Sequence, residues 1–148
     1  MENVILTLNK KPEEVKDSMQ FDSYTEIARL TFVENGEKIT SAIEVRGEVE
    51  VEYKKKTYLA PSDFPKKLVS MIEKGRDWEH NPDVYISMNN WFEVFIDNED
   101  GRSFQNDCID LNSNSAKEIY SLMANYIKKI RKIQLPDFSE ITVEENYS

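Results

Sequence analysis

Glu48, Glu50 and Glu52 are the residues whose type and spacing come nearest to chemistry. In an extended chain alternate side chains point the same way, about 6.6 Å apart. Paired carboxylates work as acid and base when a cleft holds them at a set distance and drives their proton affinities apart. A row on an open strand face gives all three the same surroundings, so it reads as a charged surface rather than a catalytic pair. Glu52-Tyr53-Lys54 also fits the short Glu-x-Lys of metal-dependent nucleases, in which a metal-ligating carboxylate and a water-activating amine share a face. The same three-residue pattern recurs at Glu14-Val15-Lys16, and Asp22, the nearest upstream candidate for a second ligand, precedes its strand. A solvated charge pair is the simpler expectation.

The remaining reactive types are sparse. Asp97-Asn98-Glu99-Asp100-Gly101 looks like a calcium loop, but counting back from Gly101 puts Ile96 at the first ligand position, so a hairpin turn is expected. His80 is the single histidine and Cys108 the single cysteine, which rules out a Cys-rich zinc site and an internal disulfide. No Gly-x-Ser-x-Gly elbow occurs, and four glycines build no phosphate-cradling loop. His80 is expected exposed in a polar loop, and Cys108 is expected to pack as a small apolar residue in a strand. No metal and no cofactor are expected.

Two basic clusters stand out, Lys54-Lys55-Lys56 at a turn and Lys128, Lys129, Arg131 and Lys132 at the end of a helix, where cations complement the helix dipole. The stretch from Asn90 to Asp97 alternates as well. Phe92, Val94 and Ile96 share one side, and Trp91, Glu93, Phe95 and Asp97 share the other. The second set, two large aromatics with two acids, has the composition of an interface unless a helix or the tail covers it.

These residues sit in a chain of 148 with 28 acidic and 19 basic side chains, a net charge of −9. That charge opposes attraction to nucleic acid and to anionic membranes. Hydrophobic residues make up 39%, enough to build a core and to argue against disorder. No apolar run approaches a membrane span or a signal peptide, so a reducing, cytoplasmic setting is expected. Frequent Lys, Asn, Ile and Tyr with scarce Gly and Pro give the composition of an AT-rich bacterium, its phages or plasmids.

The elements that must position these residues follow from periodicity. Strands are expected at 4–8, 25–34, 38–46, 48–54 and 57–59, with Asn35-Gly36 as a hairpin turn and Gly47 as a bend or bulge. Pro12 to Lys16 suggests one helical turn. A helix should follow Ala60-Pro61, capped by Ser62 or Asp63, with Pro65 in its first turn and Gly75 ending it. Strands at 83–88 and 91–97 should be joined by an Asn89-Asn90 turn, with a last hairpin strand within 103–111. Residues 113–133 form the clearest helix. Ser115 and Glu118 make a capping box, and Ile119, Met123, Tyr126, Ile127, Ile130 and Ile133 form one apolar stripe. Leu135-Pro136 should terminate it.

The fold class is therefore α+β: an antiparallel sheet of five to seven strands packed on one face by two helices, the longer one C-terminal. Residues 1–136 are expected to form a single domain and 137–148 an acidic tail, either a short strand or mobile. The expected function is a non-enzymatic protein-binding module. Its acidic face would dock on a basic, nucleic-acid-binding surface of another protein, as an inhibitor encoded by a phage or plasmid and imitating nucleic acid would. The residues expected to carry this are Glu44, Glu48, Glu50, Glu52, Trp91, Glu93 and Phe95, with no direct contact to nucleic acid and no membrane. A small metal-dependent nuclease or hydrolase, or an accessory subunit without chemistry, are the alternatives.

Overall fold

The computed structural model describes residues 1–75, 80–98, 104–112 and 115–147. The expected turn at Glu99-Asp100-Gly101 and the first part of the polar connection after Gly75 lie outside them. In chain order the elements are β1 (Glu2–Leu8), β2 (Glu26–Glu34), β3 (Glu37–Tyr53), β4 (Lys56–Tyr58), α1 (Lys66–Glu73), β5 (Val84–Asn98), β6 (Gln105–Ile109), α2 (Ala116–Arg131) and β7 (Thr142–Glu145). Among the described residues the strands form one seven-stranded sheet in the order β6-β5-β3-β2-β1-β7, with β4 beside β3. The pairs β1–β2, β2–β3, β3–β4 and β5–β6 are antiparallel, and β7 joins β1 in parallel. The fold is α+β, with a mostly antiparallel sheet and a C-terminal helix longer than the first.

The turn expected at Asn89-Asn90 does not occur, since β5 runs unbroken through it, and β3, the strand that holds Gly47, is continuous. In β3 the odd-numbered Ile39, Ser41, Ile43, Val45, Val51 and Tyr53 are buried, with Ala42 buried on the other side, and in β5 Asn90 and every residue from Phe92 to Ile96 are buried. The hairpin expected at Asn35-Gly36 forms, with both residues at positive φ and Glu34 paired with Glu37. A second tight turn joins Tyr53 to Lys56 through Lys54 and Lys55, whose φ angles are 52° and 67°.

The chain divides into two compact units, residues 1–46 with 91–148 and residues 47–90, and β3 and β5 contribute to both. In the first unit, Leu6, Leu8, Ile27, Leu30, Phe32, Ile43, Val45, Phe92, Val94 and Ile96 form the sheet side of the core. α2 lays Ile119, Tyr120, Met123, Tyr126 and Ile127 on it, the stripe its 3.6-residue period requires. The Ser115 side chain accepts the Glu118 backbone N–H at 3.2 Å, and Lys132, in the left-handed region, ends the helix before Leu135-Pro136. Beyond it Phe138 packs against Tyr120 at 5.9 Å between ring centroids, and residues 142–145 pair with β1.

In the second unit Val51, Tyr53 and Leu68 form a small core, with Tyr58, Phe64, Val84 and Ile86 against it. Val49 shares the alternation but is 39% exposed. The eight residues of α1 span only about 12 Å, too short to cover the whole strand. Neither Ser62 nor Asp63 caps α1. Residues 61–63 curl into a 3-10 turn, in which the Asp63 N–H donates to the Ala60 carbonyl at 2.9 Å, and Pro65 takes the capping position without a side-chain hydrogen bond. Gly75, at φ 61°, ends the helix as its position suggests.

Candidate functional site

Within the second unit, burying Val51 and Tyr53 on one side of β3 forces Glu50 and Glu52 outward on the other, where both are exposed, while Glu48 is half-buried. β5 obeys the same rule. Val84 and Ile86 turn toward the small core, which leaves Tyr85 and Ser87 on the opposite side. The Ser87 hydroxyl lies 3.4 Å from a Glu50 carboxylate oxygen, which places Ser87 on the glutamate face. Tyr85 is 68% exposed there. The face thus combines Glu48, Glu50 and Glu52 with one open aromatic ring, and among the described residues no cation forms an ion pair with the three carboxylates. Tyr85 was missed in the sequence. Its signal is the apolar pair Val84 and Ile86 on either side of it, which assigns Tyr85 to the wet side.

Lys54 does not share that face with Glu52. It leaves the strand at the turn, and its ammonium lies over the Tyr53 ring, 5.3 Å from the centroid. The Glu52-Tyr53-Lys54 sequence therefore does not set a carboxylate and an amine side by side. No group of three or more His, Cys, Asp or Glu side chains among the described residues is arranged to hold a metal ion.

The other four candidate residues belong to the first unit and are engaged internally. Glu44 forms an ion pair with Arg46, whose guanidinium stacks over Tyr24 at 4.7 Å. Glu44 lies opposite Glu26 on β2, and Glu26 has its own cation, Arg29, at 2.6 Å. Each of two carboxylates that would repel across the strands thus has an arginine. Glu93 is 9% exposed and accepts two hydrogen bonds, from the Trp91 indole N–H at 2.7 Å and from the Asn106 side-chain amide at 2.6 Å. Phe95 is buried to the same degree, its ring tilted against Phe104 at 5.5 Å. Trp91 itself is half-buried.

Cys108 was expected to be packed but is exposed. It lies opposite Glu93 on β6, an outermost strand of the sheet, and so on the side of β5 away from Phe92 and Val94. His80 is exposed. Burial, with the Asp107 carboxylate beside it, pushes the Tyr126 phenol up to about 12. Burial and the nearby Asp137 and Glu140 also raise that of Tyr120, whose hydroxyl donates to the Pro136 carbonyl at 2.6 Å. No helix among the described residues is long and apolar enough to cross a membrane. Comparison of the chain with protein-family models, with curated proteins and with solved structures finds no match in any of the three.

Proposed function

We propose that this protein is a non-enzymatic binding module, and that the strand face bearing Glu48, Glu50 and Glu52 docks on a basic, nucleic-acid-binding surface of another protein. The observation that carries this reading is a row of carboxylates on an uncovered strand face with no cation paired to it among the described residues. Glu26 and Glu44, in contrast, form ion pairs, and Glu93 accepts two hydrogen bonds. Tyr85 supplies what a purely charged surface lacks, a rigid amphipathic ring of the kind that anchors interfaces. Such a row speeds encounter with a basic partner and stands in for phosphates, which suits an inhibitor encoded by a mobile element that competes with nucleic acid.

The test is charge reversal. The wild-type chain is expected to capture a basic nucleic-acid-binding protein with an affinity that falls as salt rises. A Glu48→Lys, Glu50→Lys, Glu52→Lys variant should lose that capture, while reversing Glu13 and Glu14 in the first unit should leave it intact. Retention of binding and of its salt dependence by the triple variant overturns the proposal.

A further inference from the structure

We propose that the second unit also holds a binding site for a small phosphate monoester, formed by one stripe of α1 and the β3–β4 turn. Lys67, Ser70, Met71 and Lys74 stand at helical spacings of three and four residues, so they share one side of α1. That stripe lines a cavity of about 380 Å³ together with Tyr53, Lys54, Asn81 and Asp83. The volume lies in the range of pockets that take small ligands.

Three lysines, Lys54, Lys67 and Lys74, line this cavity, and no described carboxylate forms an ion pair with any of them. The placement is unusual for this chain. Its net charge is −9, yet residues 54 to 74 hold six lysines against two acids. Like charges around a concavity repel one another and focus a positive field into it, and a dianion relieves the repulsion. The Ser70 hydroxyl adds a neutral donor for a phosphate oxygen.

The rim is fixed by the backbone. The Lys54 N–H donates to the Asp83 carbonyl at 3.1 Å, and the Asp83 N–H donates to the Asn81 side-chain oxygen at 2.9 Å. The Asp83 carboxylate decides the class of ligand. It repels a continuous polyanion such as a nucleic-acid strand and can accept a hydrogen bond from a hydroxyl, so a phosphate carried on a polyhydroxyl body fits this mixed lining of lysines and one carboxylate. The carboxylate row of the docking face takes no part in this site.

The experiment is an amide chemical-shift titration of the full chain with inorganic phosphate, glucose 6-phosphate and glucose. Inorganic phosphate should shift the amides of Lys54, Lys67, Ser70 and Lys74, glucose 6-phosphate should do so at lower concentration, and glucose should not. Lys67→Gln and Lys74→Gln should each weaken both phosphates by about threefold, the scale of an exposed charge interaction. Lys117→Gln, in the first unit, should change nothing. Asp83→Asn should strengthen inorganic phosphate and reduce the advantage of the sugar phosphate. The proposal is overturned if phosphate leaves these amides unmoved, if Lys67→Gln and Lys74→Gln bind as the wild type does, or if a short single-stranded oligonucleotide shifts the same amides at lower concentration than glucose 6-phosphate.

Discussion

Glu93 and Tyr126 show how single polar groups are held inside the first unit. The Glu93 carboxylate satisfies two donors at once, the Trp91 indole and the Asn106 amide. Glu93→Ala leaves both without a partner and should cost about 2–3 kcal/mol in urea denaturation. Glu93→Gln keeps one acceptor oxygen and should cost less than the alanine variant. Tyr126 sets an alkaline limit on stability. Below pH 10 its phenol is protonated in the folded and the unfolded chain alike. Above pH 10 the unfolded phenol releases its proton, while the folded one keeps it up to about pH 12. The folded state then holds more protons than the unfolded one, so stability falls across that window, by up to about 2 kcal/mol. Tyr126→Phe should flatten the decline in melting temperature between pH 10 and 12 relative to the wild type.

At the scale of elements, the parity of apolar positions specifies these strands more reliably than the turn propensity of single residues. The odd-numbered apolar positions from Ile39 to Tyr53 keep step across Gly47, and the even-numbered ones from Val84 to Ile96 keep step across Asn89-Asn90. Glycine and asparagine permit turns but do not compel them, and sheet pairing overrides the preference. The carboxylate row and the α2 stripe were legible because each depends on one period within one element. Glu93 and Cys108 were not, because their burial depends on which strand lies beside them, and local pattern does not carry that. The Lys54-Lys55 turn shows the same gap. Both residues adopt the left-handed backbone that a tight hairpin demands, a conformation that costs a non-glycine residue about 1 kcal/mol. Lys55→Gly should therefore raise the thermal stability of the second unit by about 0.5–1 kcal/mol, read as slower amide exchange in β3 and β4.

Across the whole molecule, charge and core are unevenly shared. The first unit holds twenty acidic and twelve basic residues, a net of −8, and the second holds eight and seven, a net of −1. The near-neutral unit thus carries both the acidic strand face and the lysine-lined cavity. Its core is also the smaller, with Leu68 the single buried residue of α1. Leu68→Ala should cost about 2–5 kcal/mol, and hydrogen exchange should show the loss of protection concentrated in residues 47–90. The pairing of β1 with β7 has a consequence for how the chain is made. Ile5 pairs with Thr142, 137 positions later, so one side of β1 has no partner until nearly all of this sequence has been translated. At about 5–20 residues per second that wait is on the order of ten seconds. Throughout it β1 presents a row of unsatisfied amides and carbonyls, the template on which chains add to one another. Chains stalled or cleaved before Thr142 keep seven-residue β1 as the outer edge in place of four-residue β7 with its Glu144 and Glu145, and are expected to aggregate more readily than chains that carry β7.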